Sequence, residues 1–332
     1  MAINRLAAAA LRLLSYPNID VKKNYRLDRA AKRLLHPSMK FLWQAWDHTV
    51  TRDGYPIPVR LFIPDELRSQ DIFLFFHGGG WVSGDIDSYT QTCGTLAKMT
   101  GRRVLSVDYR LAPEHRFPVG LEDCYAVART LFAVCAEENS PLQACPQDII
   151  LIGDSAGGNL AAAVSLMAAD RGEFMPRRQI LLYPAVQSDF GPQSPFPSVR
   201  ENGRSYLLTA ANIADYLALY MRSEADRQNP YFSPLLAPDL HGQPKTLLIT
   251  AEYDPLRDEG SAYAERLKQD DVPIVYYQAP DALHGFFSLP PVFDAVRDAY
   301  RVLNAFLDGD EDILRDISDI KENTQTDEAS QK

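Results

Sequence analysis

Residues 149–158 read Ile149-Ile150-Leu151-Ile152-Gly153-Asp154-Ser155-Ala156-Gly157-Gly158. Four apolar residues in a row suit a strand covered on both faces, and the Ala/Leu-rich pattern from Asn159 to residue 170 has a helical period. A backbone that passes from strand to helix over so few residues needs small neighbours at the bend, and Gly153 and Gly157 flank Ser155. The serine is thereby displayed at the apex of the turn. Strand, bend and helix form half of a parallel crossover unit, so this stretch sets the expectation of an α/β fold.

Outward from it the alternation repeats. Short apolar runs at 72–76, 103–107, 180–183, 246–250 and 274–277 alternate with helical patterns at 89–99, 121–137, 259–269 and 292–307. That order predicts a mostly parallel sheet with right-handed crossovers, flanked by helices. Residues 47–52 and 55–63 alternate around Asp53-Gly54, a pair suited to positive φ angles, which adds an antiparallel hairpin at one edge and makes eight strands. Two more helices are expected before any strand, at 6–14 and 30–42. The interval between 183 and 246 breaks the rhythm: a stretch rich in Pro, Ser and Gly at 186–198 precedes a helical segment at 209–221. An insertion of that length most simply forms part of a lid.

Composition narrows the classes. A chain of 332 residues exceeds the size at which one core stops growing, so a large domain with a smaller cap or two domains would fit. With 46% hydrophobic and 23% charged residues it is an ordinary globular chain. The net charge of −10 disfavours nucleic acid, whose phosphates need clustered Lys and Arg. Residues 308–332 hold nine acidic and three basic residues, which puts −6 of that charge on the last 25 positions. Such a stretch reads as a disordered acidic tail, although Ile313, Leu314, Ile317 and Ile320 could prolong a helix. Cys93, Cys124, Cys135 and Cys145 have neither CxxC spacing nor the density of a disulfide scaffold, so a reducing, cytoplasmic compartment is expected. Arg12 interrupts the N-terminal apolar stretch, so no signal peptide is expected. Without a run of about 18 uncharged apolar residues, no membrane span is expected either.

A serine hydroxyl is a poor nucleophile at neutral pH and needs a base, an orienting acid and a site for the negative charge that appears on the substrate. After the run at 72–76 comes His77-Gly78-Gly79-Gly80-Trp81, a bare backbone able to aim N–H groups at a substrate. The amides of this loop and of Ala156 are the expected oxyanion hole. The chain order Ser, acid, His leaves His241 and His284 downstream of Ser155. His284 follows a strand and is preferred; His241 reads as a surface loop residue. The acid should follow the preceding strand, in Glu252-Tyr253-Asp254-Pro255-Leu256-Arg257-Asp258. Asp254 sits at the apex, Glu252 at the strand end, and Asp258 reads as a cap for the next helix. His77, Gly78 and Asp154 are expected to support the site.

Taken together these motifs, with Tyr109-Arg-Leu-Ala-Pro-Glu-His-Arg-Phe-Pro118, Asn229-Pro-Tyr-Phe-Ser-Pro-Leu236 and His284-Gly-Phe286, resemble the hormone-sensitive-lipase-like esterases, or family IV, of the α/β-hydrolase superfamily. The resemblance covers residues 51–307. It implies an α/β-hydrolase fold with a helical cap and a triad of Ser155, Asp254 and His284. It also implies an oxyanion hole at Gly79, Gly80 and Ala156. Expected organisation follows: cap parts at 1–42 and 186–232, core at 43–185 and 233–307, tail at 308–332. The acidic tail departs from the family's pattern. The expected reaction is hydrolysis of a small ester with short to medium acyl chains, needing no metal or organic cofactor. Three alternatives stay open: an amidase or deacylase, a lactonase, and a ligand-binding protein on the same scaffold. A homodimer is compatible with the reading, with no residue that argues for it.

Overall fold

The computed structural model describes residues 20–35, 38 and 40–314. Eight strands, β1 (Ala45–Arg52), β2 (Tyr55–Phe62), β3 (Ile72–Phe76), β4 (Arg103–Val107), β5 (Ile149–Asp154), β6 (Arg178–Leu182), β7 (Lys245–Tyr253) and β8 (Ile274–Leu283), make one sheet. Their order is β1-β2-β4-β3-β5-β6-β7-β8. β1 and β2 form the expected hairpin, with Asp53 and Gly54 at φ 50° and 77°. β2 pairs antiparallel with β4, and every later pairing is parallel.

All five residues of β3 and all six of β5 are buried, as their unbroken apolar runs require. Alternate side chains enter two different cores: Leu74, Phe76 and Leu151 on one face, Phe73, Phe75 and Ile152 on the other. The first core is closed by α3 (Val119–Cys135), α4 (Ala156–Arg171) and α7 (Arg257–Gln269), the second by α2 (Thr90–Thr100) and α8 (Asp294–Asp308). Each buried phenylalanine contributes about 1.5–3 kcal/mol through the area it removes from water. The central strands are thus packed on both faces, and the loops of the site begin at their carboxyl ends.

Three expectations are corrected. The helix expected at 30–42 is α1, Val21–Leu35, and Lys40–Leu42 form only a short 3-10 turn. Pro37 disfavours helical backbone at the residue before it, so the apolar pattern ran past its own stop signal. The helix expected at 6–14 lies outside the described residues. Within the insertion, 186–198 is not all loop: α5 (Pro197–Asn202) starts there with proline in its first turn, where the missing N–H costs nothing. It precedes the expected helix, α6 (Ala210–Tyr220), whose start is capped by the Thr209 hydroxyl accepting from the Asn212 N–H. The tail is not disordered from 308: Asp308 ends α8 and pairs with Arg102 at 2.6 Å, and Leu314 in the helical turn that follows is buried. Residues 315–332 lie outside the described residues.

The N-terminal helix and the insertion meet. The Val21 N–H donates to the Asp215 carboxylate of α6 at 3.2 Å, and Lys22 pairs with the same carboxylate at 3.3 Å. Arg29 of α1 holds Glu114 at 2.9 Å and the carbonyl of Val82 at 2.6 Å, which ties α1 to the chain just past the glycine loop.

Candidate active site

Ser155 stands between β5 and α4 at φ 56°, ψ −118°, a backbone conformation that L side chains rarely adopt. Close packing enforces it. A Cβ on Gly157 would lie 1.9 Å from the carbonyl oxygen of Phe76 in β3, so only glycine lets the turn sit this deep. The Ser155 N–H donates to the carbonyl of Leu182 in β6 at 2.9 Å, and its carbonyl accepts from Asn159 at 3.1 Å. The bend therefore costs strain but leaves these backbone groups satisfied.

The two loops that follow β7 and β8 bring their side chains to this serine. His284 Nε2 is 2.9 Å from Ser155 Oγ, and His284 Nδ1 is 2.7 Å from Asp254 Oδ2. A carboxylate only accepts, so the proton of the ring is on Nδ1 and Nε2 is left to accept from the hydroxyl. Asp254 is fully buried, and its other oxygen accepts from the Leu256 N–H at 2.9 Å. The edge of the His284 ring meets Tyr183, at the end of β6, with centroids 5.0 Å apart. The ring is thus held by Asp254 and Ser155 at its nitrogens and by Tyr183 at 5.0 Å.

The other candidates stand elsewhere. His241 is exposed and bonded to Asp239 at 2.7 Å. Asp258 does not cap α7, whose N-cap is Leu256; it lies inside the first turn and accepts from the Ser198 N–H at 2.7 Å. Glu252 is the penultimate residue of β7 and accepts from the Asp281 N–H at 2.7 Å.

The glycine loop after β3 is shaped from behind. His77 is buried, stacked on Tyr109 at 4.3 Å, and its Nδ1 bonds the Gly78 carbonyl at 2.9 Å. The Gly78 N–H donates to Asp154 Oδ1 at 2.8 Å, and the Tyr89 hydroxyl donates to Asp154 Oδ2 at 3.0 Å. Burial pushes the Asp154 carboxyl up to about 6, with these two hydrogen bonds acting against the rise. In front, Gly80 at φ 63° is covered by Tyr216 of α6, whose ring would lie 2.4 Å from an added Cβ. Among the described residues the N–H groups of Gly79, Gly80 and Ala156 have no acceptor within the protein. They are free to receive an oxyanion.

These groups border one cavity of about 220 Å³, where Leu208, Ile213 and Tyr216 of the insertion face Ser155, His284 and the glycines. The sequence did not single out Tyr89 or Tyr216. The helical period of α6 could have found the latter, since Ile213, Tyr216, Leu217 and Tyr220 share one face. Tyr89 had no such signal, because its partner Asp154 is 65 residues away.

Comparison with known proteins finds relatives over most of the chain. A family model described as alpha/beta hydrolase fold matches residues 73–288. An arylesterase of Saccharolobus solfataricus is 36% identical over 74% of this chain and 77% of its own length. An ethyl acetate hydrolase of Pseudomonas putida is 36% identical over 74% and 76%. The solved structure of a hyperthermophilic esterase from the archaeon Pyrobaculum calidifontis matches with a TM-score of 0.79 at 35% identity, covering 92% of this chain and 97% of that one.

Proposed function

The chain belongs to the alpha/beta hydrolase family and is a carboxylic ester hydrolase, a serine carboxylesterase, and on that premise we propose that Ser155, His284 and Asp254 are its catalytic triad. The observation that carries the proposal is the unbroken relay, 2.7 Å from Asp254 to His284 and 2.9 Å from His284 to Ser155. Ser155 Oγ attacks the ester carbonyl carbon as its proton passes to His284 Nε2, and Asp254 stabilises the imidazolium through Nδ1. The carbonyl oxygen takes the negative charge against the amides of Gly79, Gly80 and Ala156. Collapse of this intermediate expels the alcohol, which takes the proton from His284 and leaves an acyl group on Ser155. Water then attacks the acyl carbon, gives its proton to His284, and the acid departs as Ser155 regains that proton.

Substrate size follows from the cavity. At about 220 Å³ it lies below the roughly 300–1,000 Å³ of pockets that take drug-sized ligands, which supports short to medium acyl chains. The motif set supports a place in the hormone-sensitive-lipase-like branch. Contact of α1 with α6 supports a two-part cap, residues 1–42 and 186–232, over a core of 43–185 and 233–307. Among the described residues no helix is long and apolar enough to cross a membrane. Four unpaired thiols, three of them buried, support the proposed reducing, cytoplasmic setting. Mixed-disulfide capture of Cys145 from intact cells would contradict it. A homodimer through an edge strand or the cap is compatible with this reading, with no residue that argues for it, and a monomer-only sedimentation profile would exclude it.

The deciding experiment compares initial rates on acetyl, butyryl and longer p-nitrophenyl esters and on the matching anilides, for the wild type and Ser155→Ala. Esters of short chains should lead, anilides should lag because amines leave less readily, and Ser155→Ala should lower kcat by roughly a million-fold. Ester turnover by Ser155→Ala near the wild-type rate would end the proposal. Anilides turned over faster than esters would favour the amidase reading.

A further inference from the structure

The insertion touches the acid loop more than its position over a pocket requires. Asn202, at the end of α5 and 4% exposed, donates through Nδ2 to the carbonyls of Glu252 and Asp254, each at 3.2 Å. Ser198, at the start of α5 and fully buried, donates through its hydroxyl to the Pro255 carbonyl at 2.9 Å and accepts from the Asp258 N–H at 3.2 Å. Between them Glu201 pairs with Arg257 at 2.9 Å, and just beyond, Tyr206 stacks on Tyr253 with ring centroids 5.2 Å apart. At the neck of the insertion the buried Glu259 carboxylate accepts from the Val186 N–H at 2.8 Å and from Gln187 Nε2 at 2.9 Å.

Three carbonyls at the end of β7 and in the acid loop, at 252, 254 and 255, therefore accept from one short helix. The Glu252 and Asp254 carbonyls also accept from Arg257, at 3.3 and 3.1 Å, but the Pro255 carbonyl takes its hydrogen bond from Ser198, and a buried carbonyl left unpaired would cost about 1–3 kcal/mol, so α5 shares in setting the shape of the loop. That shape decides where the Asp254 carboxylate points, because its two oxygens must meet His284 Nδ1 and the Leu256 N–H together. The second half of the insertion faces the other way, with Tyr216 of α6 set on Gly80.

We propose that residues 186–206 of the insertion are a splint for the catalytic acid, with Asn202 and Ser198 as positioning residues that orient Asp254 by holding its backbone. This rests on Asp254 being the acid of the triad. If the contacts only fastened the insertion to the core, their loss would lower stability or raise KM whatever stands at position 254. A splint acts on kcat, and only while there is a carboxylate to orient.

The test measures kcat and KM on p-nitrophenyl butyrate for Asn202→Leu and Ser198→Ala, each alone and each combined with Asp254→Asn. Each single change should lower kcat roughly 10- to 100-fold, as misplacement by about 1 Å does, with KM altered by less than about 2-fold. In the Asp254→Asn background each should cost less than about 2-fold more. Single variants with kcat within about 2-fold of wild type would overturn the splint, as would equal losses in both backgrounds. If Asn202→Leu does not fold, Ser198→Ala, which deletes one hydroxyl, decides by the same criteria. Wild-type kcat in Asp254→Asn alone would instead overturn the triad, so the two failures are distinct.

Discussion

At Ser155, the proposed nucleophile, the constraint comes from the backbone itself. Ser155 keeps its positive φ because β3 and β5 lie side by side and Gly157 lets the carbonyl of Phe76 come close. At the acid the constraint comes from elsewhere in the chain. The loop from Glu252 to Glu259 is held by Asn202, Ser198 and Val186, between 50 and 73 residues distant. The comparison teaches that the proposed triad would combine one member fixed by local steric necessity with another fixed by long-range hydrogen bonds. The first tolerates no added atom, whereas the second tolerates graded change.

After the roughly million-fold loss expected of Ser155→Ala, the next largest effect is on the acid side. Asp254→Asn keeps the shape but loses the charge that steadies the imidazolium, and kcat should fall roughly ten-thousand-fold. Asp258→Asn, whose native carboxylate bonds Ser198 and Arg257, should cost far less in the same ester assay. A reversed ranking would move the acid to position 258 and break the comparison.

Gly157→Ala strikes the elbow. With a Cβ 1.9 Å from a backbone oxygen that cannot rotate away, we expect a loss of about 3 kcal/mol or more, read from the urea midpoint. An unchanged midpoint would mean that the turn is less tightly wedged between β3 and β5 than the account requires.

Asp154 sharpens the comparison, since it sits beside the nucleophile yet holds the glycine loop. Its folded-state pKa, raised from 3.8 to about 6, means that the native state binds its proton more tightly than the unfolded chain. Its contribution to stability therefore falls as pH rises between those values and is level above them. Asp154→Asn should gain on the wild type by up to about 3 kcal/mol across that window, from the linkage of 1.36 kcal/mol per pKa unit. Urea unfolding of both proteins at pH 4.5 and 7.5 checks it, and a constant difference between them would contradict the assignment.

The same contrast explains what the sequence disclosed. The elbow, the glycine loop, Asp254 and His284 were legible because each sits where an apolar run ends, and a run of period two or an unbroken one is a local signal. The hairpin was legible from Asp53-Gly54 set between two alternating runs. Hidden features depended on residues that meet only after folding. Asp258 read as a helix cap because nothing nearby announced Ser198 as its partner. The α5 helix was masked by the Pro/Ser/Gly composition that usually marks a loop. The start of α1 was displaced because few strongly apolar residues mark its first turns, and what fixes them is contact with Asp215 and Glu114. At the other end, Leu314 is buried and Asp308 pairs with Arg102 in a stretch that charge and composition assigned to a tail, with Leu314 already named as able to prolong a helix.

The most direct test of the relay is intact-protein mass after treatment with a fluorophosphonate, for the wild type and Ser155→Ala. The account predicts a single adduct on the wild type, mapped to Ser155, formed more slowly when a butyrate ester competes, and none on Ser155→Ala. A wild-type protein that still hydrolyses esters but takes the label at another residue, or takes none, would contradict it.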